Sequence, residues 1–143
     1  MEASLHYLLL MTQTVFHKMV LSEAATIGLS PGQPKILEYL KHYGGCDQRM
    51  IGDACNIEAA TVTGILVRME AAGLIERKQL EGNRRSLHVF LTENGKACAS
   101  QIDDTFKSIE ETAFANIPAD EQKEFLATLT KIYANLTDRQ RQS

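Results

Sequence analysis

Residues 47–92 read DQRMIGDACNIEAATVTGILVRMEAAGLIERKQLEGNRRSLHVFLT, and the order of caps, breaks and periods in this stretch decides the fold. Asp47 can cap a short helix ending near Cys55, and Asn56 tolerates the left-handed conformation that follows a helix. After a three-residue turn a second helix starts around Ala59. It repeats Val62, Ile65, Leu66 and Met69 on one face and stops at Gly73, with Leu74 as the apolar partner of that cap. Two short helices joined by a tight turn, 47–55 and 59–72, have the proportions of a helix-turn-helix. The period then changes to two. Stretches 74–80 and 86–91 read as strands, the latter alternating Leu87, Val89 and Leu91 with His88 and Phe90. Gly82-Asn83 supplies the positive-φ residues a hairpin turn needs.

The flanks are helical. Leu5, Leu8, Leu9, Thr12, Phe16, Met19 and Val20 make an apolar stripe over 1–27, closed by Gly28. Ser30 reads as an N-cap, with Pro31 at the first helical position and Gln33 completing a capping box. That helix runs to about His42, turns Ile36, Leu37 and Leu40 inward, and breaks at Gly44-Gly45. Beyond the hairpin, Thr92 caps a long helix to about Asn116, with Ile102, Phe106, Ile109 and Ala113 inward. Pro118 breaks it, and a last helix over 119–136 carries Phe125, Leu129, Ile132 and Leu136 on one stripe. The predicted class is mainly α with one small β-hairpin.

A chain of 143 residues suits a single domain, and 44% apolar against 23% charged residues excludes a wholly disordered chain. No apolar run is long enough to span a bilayer, and Leu8-Leu9-Leu10-Met11 lacks the flanks of a signal peptide, so the expected location is cytoplasmic. Net charge is −3, but its distribution is uneven. Arg77, Lys78, Arg84 and Arg85 against Glu81 give a local +3, whereas 101–124 holds seven acids and two lysines. A basic tip on an acidic body suits one surface offered to a polyanion; the competing reading is an ordinary solvated hairpin. Cys46, Cys55 and Cys98 are odd in number and form no CxxC pair, which argues against a disulfide scaffold. The histidines have no helical ligand spacing, so no metal site is expected. No phosphate loop, nucleophile elbow or zinc-helix motif is present, so no enzyme and no cofactor are expected.

Several landmarks together resemble the MarR-type winged-helix transcriptional regulators. Leu29-Ser30-Pro31-Gly32-Gln33 resembles the opening of the family's second helix. Thr61-Val62-Thr63, then Leu66, Met69 and Gly73-Leu74-Ile75, resembles the recognition helix and its exit. Gly82-Asn83-Arg84-Arg85-Ser86 resembles the tip of the wing, and Leu91-Thr92-Glu93-Asn94-Gly95 the entry to the long dimerisation helix. The sequence departs from the family in carrying Asn83 for the usual aspartate, and Gly64 where many members carry a basic or polar residue.

The resemblance implies one domain over 1–143. A winged helix-turn-helix at about 29–96 would be flanked by helical dimerisation regions at 1–28 and 97–143. It implies a sequence-specific DNA-binding regulator, a ligand-responsive repressor acting as a homodimer on a near-palindromic operator. Ala60, Thr61, Thr63, Gly64 and Arg68 would face the major groove. Arg84 or Arg85 would enter the minor groove, with Arg77 and Lys78 on phosphates. For each group the plainer alternative is a solvated helix face or a charged turn. His17, Tyr39 and Tyr43 are candidates for a small-molecule effector cleft. Cys46, in a glycine-rich loop beside His42, is the candidate redox residue. The alternative functions are a winged helix that binds protein, or a redox or metal sensor on the same fold.

Overall fold

Caps and glycines divide the chain where the sequence places them. The computed structural model describes residues 3–80 and 82–143, with residues 83–86 described by backbone alone. The elements are α1 (Leu5–Thr26), α2 (Gln33–His42), β1 (Cys46–Asp47), α3 (Gln48–Cys55), α4 (Ala59–Ala71), β2 (Ile75–Leu80), β3 (Asn83–Leu91), α5 (Glu93–Ala113) and α6 (Ala119–Gln142). They pack as two compact units, Met1–Ile109 and Glu110–Ser143.

In the first unit the apolar faces of α2, α3 and α4 meet over one core. Ile36, Leu37, Ile51, Val62, Leu66, Met69, Val89 and Ile102 are completely enclosed there. Each such side chain contributes roughly 1.5–3 kcal/mol relative to exposure. β3 is the central strand of an antiparallel sheet ordered β1-β3-β2, with Cys46 opposite Val89 and Ile75 opposite Leu91. The pairing of β2 with β3 becomes irregular between Gln79 and Leu80, next to the turn at Gly82 (φ +84°).

Helix α4 ends in a double-bonded C-cap. The Gly73 N–H donates to the Glu70 carbonyl (3.0 Å) and the Leu74 N–H to that of Met69 (3.0 Å). α5 is joined directly to this exit. The Thr92 hydroxyl donates to the Gly73 carbonyl (2.6 Å) and accepts from the Gly95 N–H (3.0 Å), while the Thr92 N–H donates to the Leu74 carbonyl (3.1 Å). A Cβ on Gly95 would lie 2.0 Å from that same Leu74 oxygen, so only glycine lets the two segments approach.

Four expectations are corrected. α2 begins at Gln33, because Gly32 is left-handed (φ +88°) and interrupts the helix that Ser30 was expected to start. The Gln33 side chain still accepts from the Ser30 N–H (3.0 Å), so half of the capping box forms around a turn. Cys46–Asp47 is a strand rather than loop. Ala113 is exposed, not inward. α6 continues to Gln142, and none of its side chains is buried. Within the second unit Phe114 and Phe125 meet edge to face at 6.5 Å.

Candidate nucleic-acid interface

The helix-turn-helix is set by short-range chemistry. Asp47 accepts the Met50 N–H at 2.9 Å and starts α3; Asn56, at φ 55°, ends it. Gly52 lies where α3 crosses the start of α4: a Cβ there would stand 3.1 Å from the Ile57 carbonyl and 3.3 Å from Val62. α4 turns Val62, Ile65, Leu66 and Met69 into the core. Ala60, Thr61, Thr63, Val67 and Arg68 are exposed on its other side, with Gly64 half-buried among them.

Two of these residues are already engaged. The Thr63 hydroxyl donates to the Ala59 carbonyl (3.1 Å) and accepts from the Gln48 side-chain amide (2.5 Å). The Arg68 guanidinium lies against Gly64, its Nη1 3.4 Å from where a Cβ would stand. The departure at Gly64 therefore leaves room that Arg68 occupies.

The basic hairpin is less uniform than its sequence suggests. Successive strand residues face opposite sides of a sheet. Arg77 lies on the α4 side, its Nε buried and 3.7 Å from the Glu70 carboxylate, an ion pair too long to be a hydrogen bond. Lys78 is on the other side, paired with Glu76 (3.0 Å) and 5.5 Å from the centre of the Phe90 ring. The two cations expected on phosphates therefore stand on opposite faces of the sheet. The side chains of Arg84 and Arg85 lie outside the described residues.

Residues expected to sense effectors or oxidants also separate. Cys46 is buried, opposite Val89, and its thiol donates to the Tyr43 carbonyl, so the accessible thiol expected there is corrected. Tyr39 lies 3.7 Å from that sulfur, and its phenol is pushed up to about 12 by the hydrogen bond with Cys46 and then by burial. Burial also raises the Cys55 thiol. Tyr39 and Tyr43 form a tilted ring pair at 5.1 Å with Tyr43 exposed; exposed His17 shares no hydrogen bond or ring contact with either. A cleft of about 530 Å³ opens elsewhere, lined by Leu40, Lys41, Lys78, Phe90 and Lys96 among others. Among the described residues no three His, Cys, Asp or Glu side chains gather as a metal site, and no single helix is long and apolar enough to cross a membrane.

Sequence reasoning missed Gln48 and Arg49. Arg49 is an exposed cation in the first turn of α3, a place from which the supporting helix of such a motif meets the nucleic-acid backbone. The signal was the position itself, directly after the Asp47 cap.

This arrangement of helix-turn-helix, antiparallel hairpin and long following helix is the winged-helix class. The MarR family profile matches residues 29–87. The chain is 32% identical over 106 residues to the uncharacterised HTH-type transcriptional regulator YwoH of Bacillus subtilis, covering 74% of this chain and 76% of YwoH. It is 24% identical to the HTH-type transcriptional repressor Rv2887 of Mycobacterium tuberculosis over 92% of this chain and 94% of that one. A MarR family regulator from Listeria monocytogenes, crystallised with a 26-mer DNA, superposes with a TM-score of 0.87 at 22% identity, over 97% of this chain and 92% of that chain. The chain belongs to the MarR family of transcriptional regulators.

Proposed function

We propose that this protein is a cytoplasmic, sequence-specific DNA-binding repressor that acts as a homodimer and is released by a small-molecule effector. The observation that carries the reading is α4: it is locked into the core along one face and exposes Ala60, Thr61, Thr63 and Arg68 on the other. A helix held this way can enter a major groove while α3 braces the backbone. Arg84, Arg85 and Arg77 are assigned to the wing side of the interface, and Arg49 to phosphate. Lys78 joins only through a phosphate on the outer sheet face. The Listeria regulator's DNA complex and the Mycobacterium repressor's name support DNA binding and repression by analogy.

Dimerisation is supported by apolar surface. Leu5, Leu8, Leu9, Leu10 and Met11 of α1, and Phe125, Leu126, Tyr133 and Leu136 of α6, are all exposed in the single chain. Such surface marks an interface, and a two-fold dimer places two α4 helices on successive turns of a near-palindrome. On this reading residues 1–143 are one functional domain, with 29–96 reading DNA and 1–28 and 97–143 joining the copies. An effector preferring a different spacing of the two α4 helices lowers DNA affinity by its differential affinity for the two arrangements. The Tyr39–Tyr43 ring pair, with His17 brought near in the dimer, is the proposed place for it.

The test is genomic pull-down with purified protein, together with light scattering. Enriched duplex sites, a dimer mass and affinity that falls steeply with salt are expected. A monomer that enriches nothing refutes the reading.

A further inference from the structure

The front half of α4 is chemically sparse. Between Ala59 and Val67 it presents alanine, threonine and glycine to the outside, with no amide or cation before Arg68. A long polar side chain is nevertheless held there, and it comes from α3. Gln48 is the first residue of α3, and its amide reaches across the turn to Thr63.

In the structure that amide is turned with its nitrogen towards Thr63. A threonine hydroxyl has one hydrogen. In Thr63 it goes to the Ala59 carbonyl, so towards Gln48 the Thr63 oxygen only accepts. Nε2 of Gln48 is therefore the atom against Thr63, at 2.5 Å. Nε2 keeps a second hydrogen and Oε1 keeps its acceptor capacity; neither has another bond among the described residues. Adjacent donor and acceptor functions on one planar amide complement the N6 amino group and N7 of adenine in the major groove.

We propose that Gln48 is a specificity-determining residue that reads an adenine, and that Thr63 is a positioning residue which holds its amide rather than a base contact. The assignment rests on the DNA-binding reading. It shifts one point of recognition from α4 to α3, and it supplies a polar reader in a family member whose recognition helix carries Gly64.

The test is selection from a pool of randomised duplexes with the full chain, followed by binding to the selected duplex and to a random duplex. Parent, Gln48→Ala, Thr63→Val and Thr63→Ser are compared. The parent is expected to select adenine at one position in each half-site. Gln48→Ala loses that preference and binds the selected duplex roughly 5- to 150-fold more weakly, with a smaller loss on random duplex. Thr63→Val weakens the same preference at the same position, and Thr63→Ser, which keeps the hydroxyl, restores it. Thermal midpoints confirm folding, since Gln48 is outside the core. A parent that selects a sequence which Gln48→Ala selects unchanged overturns this assignment alone. A parent that selects no sequence overturns the DNA-binding reading and the assignment with it.

Discussion

In α4, 13 residues bury four side chains; in α6, 24 residues bury none. Both helices carry apolar residues at helical spacing. The stripe of α4 is met within its own unit by Ile36, Leu37 and Ile51, which are equally enclosed. The stripe of α6 leaves Phe125 and Leu136 exposed and Leu129 and Ile132 half-buried. Periodicity therefore states that a face will be covered and not by what. Most helical stability in proteins comes from packing an amphipathic face, and within its own unit the stripe of α6 is left open. On the proposed reading, a second copy would cover it.

The contrast is tested most strongly by matched truncations. Met69→Ala removes an enclosed side chain and is expected to cost about 2–5 kcal/mol at any protein concentration, read by denaturant unfolding. Leu136→Ala is expected to cost stability only where the protein is dimeric, with a midpoint that depends on concentration and a shift towards monomer in sedimentation. Equal, concentration-independent losses for both would remove the distinction between the helices.

A smaller effect separates two glycines at the α4–α5 junction. Gly95→Ala drives a methyl group into the Leu74 carbonyl, for an expected loss of about 1–3 kcal/mol or more by the same measurement. Gly73→Ala meets nothing within 4 Å and bears only the strain of its φ of +76°, about 1–2 kcal/mol. A Gly95→Ala protein as stable as Gly73→Ala would show that the junction can relax.

The smallest effect belongs to Tyr39. Its phenol ionises near 10 when unfolded and at about 12 when folded, so the folded state holds the proton more tightly. The resulting stability is complete below pH 10 and is lost as pH rises towards 12. Tyr39→Phe should lack this part of the alkaline decline. Thermal midpoints at pH 8, 10 and 11.5 should show the parent's advantage over the variant shrinking above pH 10.

What was legible in the sequence was local. Asp47, Asn56, Gly73 and Thr92 each act within a few residues of themselves, and each sits in the structure as its chemistry predicts. The inward faces of α2 and α4 followed from spacing alone. What escaped depended on distance along the chain. β1 is two residues long and is defined by pairing with His88 and Val89, some forty residues away, so no period announces it, and the glycines beside Cys46 read as a loop. Gln48 meets Thr63 across the turn, and neither residue type signals the other. Charge alone groups Arg77 with Lys78, whereas strand alternation sets them on opposite faces. α6 outran its apolar stripe because Thr137-Asp138-Arg139-Gln140 is polar yet compatible with a helix.

The junction of Gly73, Leu74, Thr92 and Gly95 has a consequence in time. Its hydrogen bonds are linked: the Thr92 N–H and hydroxyl donate to the Leu74 and Gly73 carbonyls at the exit of α4, and the same hydroxyl caps the Gly95 N–H of α5. Neither end can fray alone without orphaning groups of the other. The amides of Thr92 and Gly95 should therefore exchange with solvent at one shared rate, set by a joint opening rather than by separate fluctuations. Between such openings, the exit of α4 and the first turn of α5 would stay joined.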